Sequence, residues 1–290
     1  MPEPKTDTLE VPTAVLTYDV RRNEDSTFPA LMLVGSPMAA AGFDTLARHF
    51  DDRTVITYDP RGSERSRRTD AATETTPEEH ADDIHRVISE VGETPVDMFA
   101  SSGGAVNALA LVARHPGQLR TLVAHEPAMG QLLPDREQAL AASRDIHETY
   151  LLDGFGPAMA KFIALVSYEG ELPQDYLDQP APDPAIFGLP AEDDVGRDDP
   201  LLGQNMISST HYEPDFDALR AASTRIVIAA GESSNGMMAQ RSAIAVGDRL
   251  GTPVVMFPGD HGGFLGGEYG QMGEPDAFAA KLREVLDGSA

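Results

Sequence analysis

Val96-Asp97-Met98-Phe99-Ala100-Ser101-Ser102-Gly103-Gly104-Ala105 carries the organising signal of the chain. It reads as a short buried strand, a tight turn, and a helix continuing through Ala108, Leu111 and Val112. A serine at such a corner is pushed out of the path of the backbone, with its hydroxyl exposed and its main chain strained. The corner tolerates only small residues two places before and two places after that serine. Ser102 has Ala100 and Gly104 at those places, whereas Ser101 would put Phe99 in the crowded earlier one. Ser102 is therefore the candidate nucleophile. Alone, the motif also fits serines that cap the next helix, or a phosphate nest at a helix N-terminus.

Outward from the corner, strands and helices alternate. On the N-terminal side come two short strands, Leu9-Val11 and Ala14-Tyr18, and a continuous apolar run from Ala30 to Val34. Such a run suits a strand covered on both faces. A helix follows with Phe43, Leu46, Ala47 and Phe50 on one side, then the strand Thr54–Tyr58. Thr76-Pro77-Glu78-Glu79 starts the next helix, with proline in the first turn and acids favouring the dipole. On the C-terminal side a strand runs over 119–124. After Pro127 the rhythm lapses. Residues 135–168 read as helix broken near Gly154, and 172–200 are rich in proline and aspartate. The alternation resumes with a helix at 217–222, strands at 225–230 and 253–257, and helices at 238–250 and 275–286. This pattern predicts an α/β fold with a mainly parallel sheet flanked by helices. It divides the chain into a core over 1–127 and 217–290, with a helical lid inserted over 128–216.

Four landmarks in this order make the chain resemble an α/β-hydrolase over nearly all of its length outside the insert. They are Gly35-Ser36-Pro37 after a strand, Tyr58-Asp59-Pro60-Arg61-Gly62-Ser63-Glu64-Arg65-Ser66, the corner at Ser102, and Asp260-His261-Gly262 after the last strand. The resemblance implies that His261 is the base that takes the serine proton, oriented by an acid. It also implies an oxyanion hole of two backbone N–H groups, Gly103 and Ser36, although Gly35-Ser36-Pro37 reads equally as a plain strand-ending turn. Glu64 stands where the family carries a second glycine. Asp59 and Arg61 are expected to brace their loop through a local ion pair.

The acid departs from the family's commonest pattern. Its usual station after the post-insert strand holds Ser234, within Gly231-Glu232-Ser233-Ser234. A subset of the fold places the acid one strand earlier, where this chain has His125-Glu126-Pro127. Zearalenone-type lactonases use a glutamate at that station, and the chain is similar in this respect. Glu126 is the expected acid, with Glu232 as the rival and a triad without a working acid as the third possibility.

Composition narrows the function classes. The 290 residues carry a formal net charge of −25, with three lysines against nineteen arginines. That field repels nucleic acid and anionic membranes. There are no cysteines for thiolate chemistry or disulfides. Met1–Glu10 lacks the basic and apolar regions of a signal peptide, so a cytoplasmic location is expected. No metal, nucleotide or other cofactor is expected, and Glu192-Asp193-Asp194 reads as solvated surface. The expectation is a serine hydrolase acting on a small ester or lactone. Its rivals are a carbon–carbon bond hydrolase or cofactor-free oxygenase on the same fold, and a ligand-binding protein with little turnover. Met129, Leu132, Phe155, Met159, Phe162, Tyr168, Tyr176 and Phe187 in the insert suggest an apolar ligand, or simply pack the insert.

Overall fold

A computed structural model describes residues 3–193 and 195–288. Its strands are β1 (Lys5–Val11), β2 (Ala14–Arg21), β3 (Leu31–Val34), β4 (Val55–Tyr58), β5 (Arg67–Arg68), β6 (Val96–Ser101), β7 (Leu119–His125), β8 (Arg225–Gly231) and β9 (Val255–Phe257). They form one sheet in the order β1-β2-β4-β3-β6-β7-β8-β9, with β5 on β2. From β4 to β9 every pairing is parallel, and β2 is antiparallel to its neighbours.

The continuous apolar strands are explained by two buried faces. Along β3, Met32 and Val34 join one cluster while Leu31 and Leu33 join the other. Along β6, Met98 and Ala100 face the first and Phe99 the second. Helices α2 (Pro77–Val91), α3 (Gly103–Arg114), α7 (Phe216–Ala221) and α8 (Met238–Leu250) cover the first face. Helices α1 (Asp44–Arg48) and α9 (Pro275–Leu286) cover the second. Helix α2 begins with a capping box, Thr76 and Glu79 each bonding the other's backbone N–H.

Between β7 and α7 the chain is helical and has its own core. Helices α4 (Arg136–Asp153) and α5 (Phe155–Val166) pack with α6 (Met206–Thr210) and the π-helical turn Pro200–Asn205 around Ile146, Tyr150, Leu165, Leu202 and Met206. The Asp135 carboxylate ties this segment to the rest. It accepts from Leu172 N–H at 2.7 Å and pairs with Arg241 on α8.

One expectation for the loop after β4 is corrected. Asp59 and Arg61 do not pair with each other. Asp59 takes Arg65 Nε at 2.6 Å, and Arg61 reaches buried Asp83 on α2 at 2.6 Å. Local spacing could not reveal either partner, since both depend on where the loop folds back. Glu64, in place of the family's glycine, adopts φ +44°, the left-handed backbone that glycine would take at less strain. In the acidic stretch, Asp193 pairs with Arg197 at 2.8 Å, and Asp194 lies outside the described residues.

Candidate active site

Strand β6 delivers Ser102 into the turn before α3 with φ +58° and ψ −127°. A non-glycine residue there costs about 1–3 kcal/mol and persists only where its surroundings enforce it. The surroundings are specific. Ser102 N–H donates to His125 O at 3.0 Å, and Ser102 O accepts from Ala105 N–H at 3.0 Å. The small residues around the turn are required by contact. A Cβ on Gly104 would lie 2.5 Å from Val34 O, and one on Gly103 would lie 2.5 Å from Ser36 O. Ser101 is buried on the opposite side of the strand, its Oγ 3.2 Å from His125 Nδ1.

One strand over, β7 ends at His125, and Glu126 follows in the left-handed region at φ +46°. Its backbone N–H donates to Ala229 O at 2.9 Å, which turns the side chain across the carboxyl ends of β7 and β8. The carboxylate is fully buried. Oε1 accepts from Gly231 N–H at 2.9 Å and Oε2 lies 2.7 Å from His261 Nδ1. Burial alone would push the carboxyl pKa up. The hydrogen bond with His261, the electrostatic influence of the His125 and His261 rings, and the nearby Ser234 hydroxyl outweigh burial and bring it to about 2. Glu126 is therefore a carboxylate throughout the neutral range.

Ser234 is 1% exposed, and its Oγ has no hydrogen bond within 3.5 Å among the described residues. The hydroxyl sits close enough to lower the Glu126 pKa without completing a bond to it. Glu232 is exposed at the strand end, and no hydrogen bond joins its carboxylate to His261 among the described residues. His261 is half-exposed, in the loop that follows β9. Ser102 Oγ makes no hydrogen bond to it among the described residues. Catalytic contacts of this kind are often long before substrate binds.

The residues expected to supply the two oxyanion donors pack against one another. The close approach of Gly103 to Ser36 O sets the end of β3 against the N-terminus of α3. Neither the Gly103 nor the Ser36 N–H is taken by an acceptor among the described residues. Gly103 also stands at the positive end of a twelve-residue helix. Two free donors beside a half-buried serine can hold a developing oxyanion.

Sequence reading did not anticipate the buried pair Ser101–His125. Its signal was the parallel register, which sets Ser101 opposite His125 and is invisible without the strand order. The ligand-type atoms of His125, Glu126 and His261 lie within 4.8 Å of one another, a donor set that zinc could use. Both Glu126 oxygens, however, already have protein partners. The insert's apolar residues do not single out a ligand surface. Met129 belongs to the main core, and Phe155, Met159, Phe162, Tyr168 and Tyr176 pack on the insert's own core. Cavities of about 660 Å³, near Asp19 and Arg65, and 340 Å³, near Lys161 and Tyr176, include none of Ser102, Glu126 and His261 in their walls.

The fold and this arrangement of strand ends are those of the α/β-hydrolases. The family model described as alpha/beta hydrolase fold matches residues 29–185. The chain is 31% identical over 263 residues to the "Uncharacterized hydrolase YraK" of Bacillus subtilis, covering 89% of each chain. It belongs to the α/β-hydrolase family and is a hydrolase by kinship. Among solved structures, an enol-lactonase from Burkholderia xenovorans superposes with a TM-score of 0.66 at 14% identity, over 97% of this chain and 100% of that one. A thermophilic esterase from Thermogutta terrifontis does so with a TM-score of 0.66 at 17% identity, over 99% of each chain. At those identities the likeness concerns the fold.

Proposed function

We propose that this hydrolase cleaves a small carboxylic ester or lactone through an acyl-enzyme on Ser102. The observation that carries the reading is the 2.7 Å contact between His261 Nδ1 and the buried, ionised Glu126, one strand from the strained Ser102 turn. A carboxylate fixed on Nδ1 holds the proton there and leaves Nε2 as the base.

Ser102 Oγ attacks the carbonyl carbon as its proton passes to His261 Nε2. The carbonyl oxygen becomes an oxyanion facing the N–H groups of Gly103 and Ser36. Collapse of this intermediate breaks the bond to the alkoxy oxygen, which takes the proton from His261. Water, deprotonated in turn by His261, attacks the acyl carbon; the bond to Ser102 Oγ then breaks, Oγ takes the proton back from His261, and the acid is released. Glu126 stays ionised and stabilises the imidazolium in both halves of the cycle. The lactonase and esterase among the structural neighbours fit this substrate class, and the helical segment over 128–216 is placed in the chain where a lid would be.

A second reading, a ligand-binding protein with little turnover, is favoured by the missing hydrogen bond between Ser102 and His261. A fluorophosphonate probe separates the two. Rapid labelling that maps to Ser102 and disappears in Ser102→Ala supports the hydrolase, and a full-length folded protein that stays unlabelled supports the binder.

A further inference from the structure

His125 is a polar side chain in an apolar place. Strand β7 turns it onto the second face of the sheet, where its ring lies 5.4 Å from that of Phe278, 5.9 Å from Phe99 and 6.1 Å from Phe257, centroid to centroid. Burying an imidazole there costs free energy that a leucine or phenylalanine would not incur. Ser101 shares the position. The two residues are opposite each other in the parallel register, and Ser101 Oγ meets Nδ1 at 3.2 Å. The other nitrogen, Nε2, is buried with no hydrogen-bond partner among the described residues. Packing does not account for a serine–histidine pair inside a phenylalanine cluster.

The location does. The imidazole lies under the Glu126–His261 contact, with its ring 6.1 Å from that of His261 and a ring nitrogen within 4.8 Å of both partners' ligand-type atoms. Its charged neighbours are Glu126 and His261, with Asp260 beyond, while β6 faces it with the Ser101 hydroxyl and the Phe99 ring and α9 with the Phe278 ring. Burial, offset in part by Glu126, brings its pKa down to about 4, so it stays neutral when His261 takes a proton. An uncharged, fixed dipole at that place can hold the buried carboxylate in line with Nδ1 without repelling the imidazolium.

We propose that His125, held by Ser101, is a positioning residue that keeps the Glu126 carboxylate aligned on His261 from beneath. The inference rests on the triad reading given above and adds to it a polar layer on the far side of the acid.

The test replaces the pair by apolar residues, Ser101→Ala with His125→Phe, and separately with His125→Leu in case the larger ring overpacks. Removing an incompletely bonded polar pair from an apolar cluster should leave the melting temperature unchanged or higher. The proposal predicts that kcat for an aryl ester nevertheless falls on the order of tenfold, a fraction of what proton transfer supplies, while KM stays within about twofold. The acid limb of the kcat/KM profile should move to lower pH, because a displaced carboxylate stabilises the protonated base less. His125→Asn, which can keep the bond to Ser101, should recover part of the rate. Independently of turnover, the downfield proton resonance of the His261 Nδ1–H should be sharp in the parent chain and shifted or lost in the apolar variants. If both apolar variants fold, keep kcat within twofold, leave the acid limb in place and retain that resonance, His125 has no such role. If the parent chain itself hydrolyses nothing and takes no label, the triad reading fails instead, and the resonance still decides whether His125 orders the Glu126–His261 contact.

Discussion

Ser101 and Ser102 are adjacent and chemically identical, yet the chain gives them opposite fates. The strand turns Ser101 into the core against His125, and the corner turns Ser102 out at φ +58°. Ser102→Ala should therefore abolish hydrolysis of a short-chain aryl ester, while Ser101→Ala should keep most of it. Thermal melting of Ser102→Ala should stay close to the parent's, because a single half-buried hydroxyl contributes little packing. Parallel rate and melting measurements on the two variants check this, and the reverse ranking would contradict the register. The choice of serine was legible because small residues two places to either side of the corner are a local, steric demand. Ser234 and the partners of Asp59 and Arg61 were not legible in the same way. Ser234 and Arg61 are defined by residues distant in sequence and Asp59 by how its own loop folds back, and no local periodicity reports such contacts.

At the scale of elements, the proposed oxyanion hole depends on how closely the end of β3 approaches the start of α3. A methyl group on Gly103 would stand 2.5 Å from the backbone oxygen of Ser36, a contact that cannot persist, so the two elements must separate. Losing a single oxyanion donor costs about 10²–10³ in kcat, and a displaced pair should lose at least about tenfold in Gly103→Ala with KM little altered. Steady-state kinetics on that variant provide the check, and an unchanged kcat would remove Gly103 from the oxyanion hole. Most elements could be read from the sequence for a similar reason. Runs buried on both faces gave the central strands, and proline and acids in the first turn gave the start of α2. The two-residue β5 escaped, since it is too short to show a period.

For the molecule as a whole, the buried ionisable groups set the response to acid. His125 has its pKa lowered by burial from 6.5 to about 4, and burial lowers that of His80 as well. Between those values the unfolded chain binds a proton that folded His125 refuses, so stability is full above about pH 6.5 and falls as pH drops toward 4. For His125 alone the loss is up to about 3 kcal/mol. Glu126, lowered from 4.5 to about 2, adds a further loss below pH 4.5 for the same reason. Denaturant melts from pH 7.5 to 4 should show the decline, and Ser101→Ala with His125→Phe should flatten its upper part. A melting profile independent of pH over that range would mean that these groups are not buried as described. The net charge of −25 should make the fold more stable as salt screens its self-repulsion, which the same melts in added sodium chloride would register. No helix among the described residues is long and apolar enough to cross a membrane.

The central claim is that Glu126, one strand away from the family's usual acid station, orients the catalytic histidine. Comparing kcat of Glu126→Gln with that of Glu232→Gln, on the same ester and with folding verified by circular dichroism, tests it most directly. Replacing a triad acid by its amide costs up to about 10⁴ where the tautomer is lost, so Glu126→Gln should fall by at least about 10²-fold with Glu232→Gln within a few-fold of the parent. A Glu126→Gln enzyme that retains its rate, with Glu232→Gln or neither variant impaired, would contradict the account.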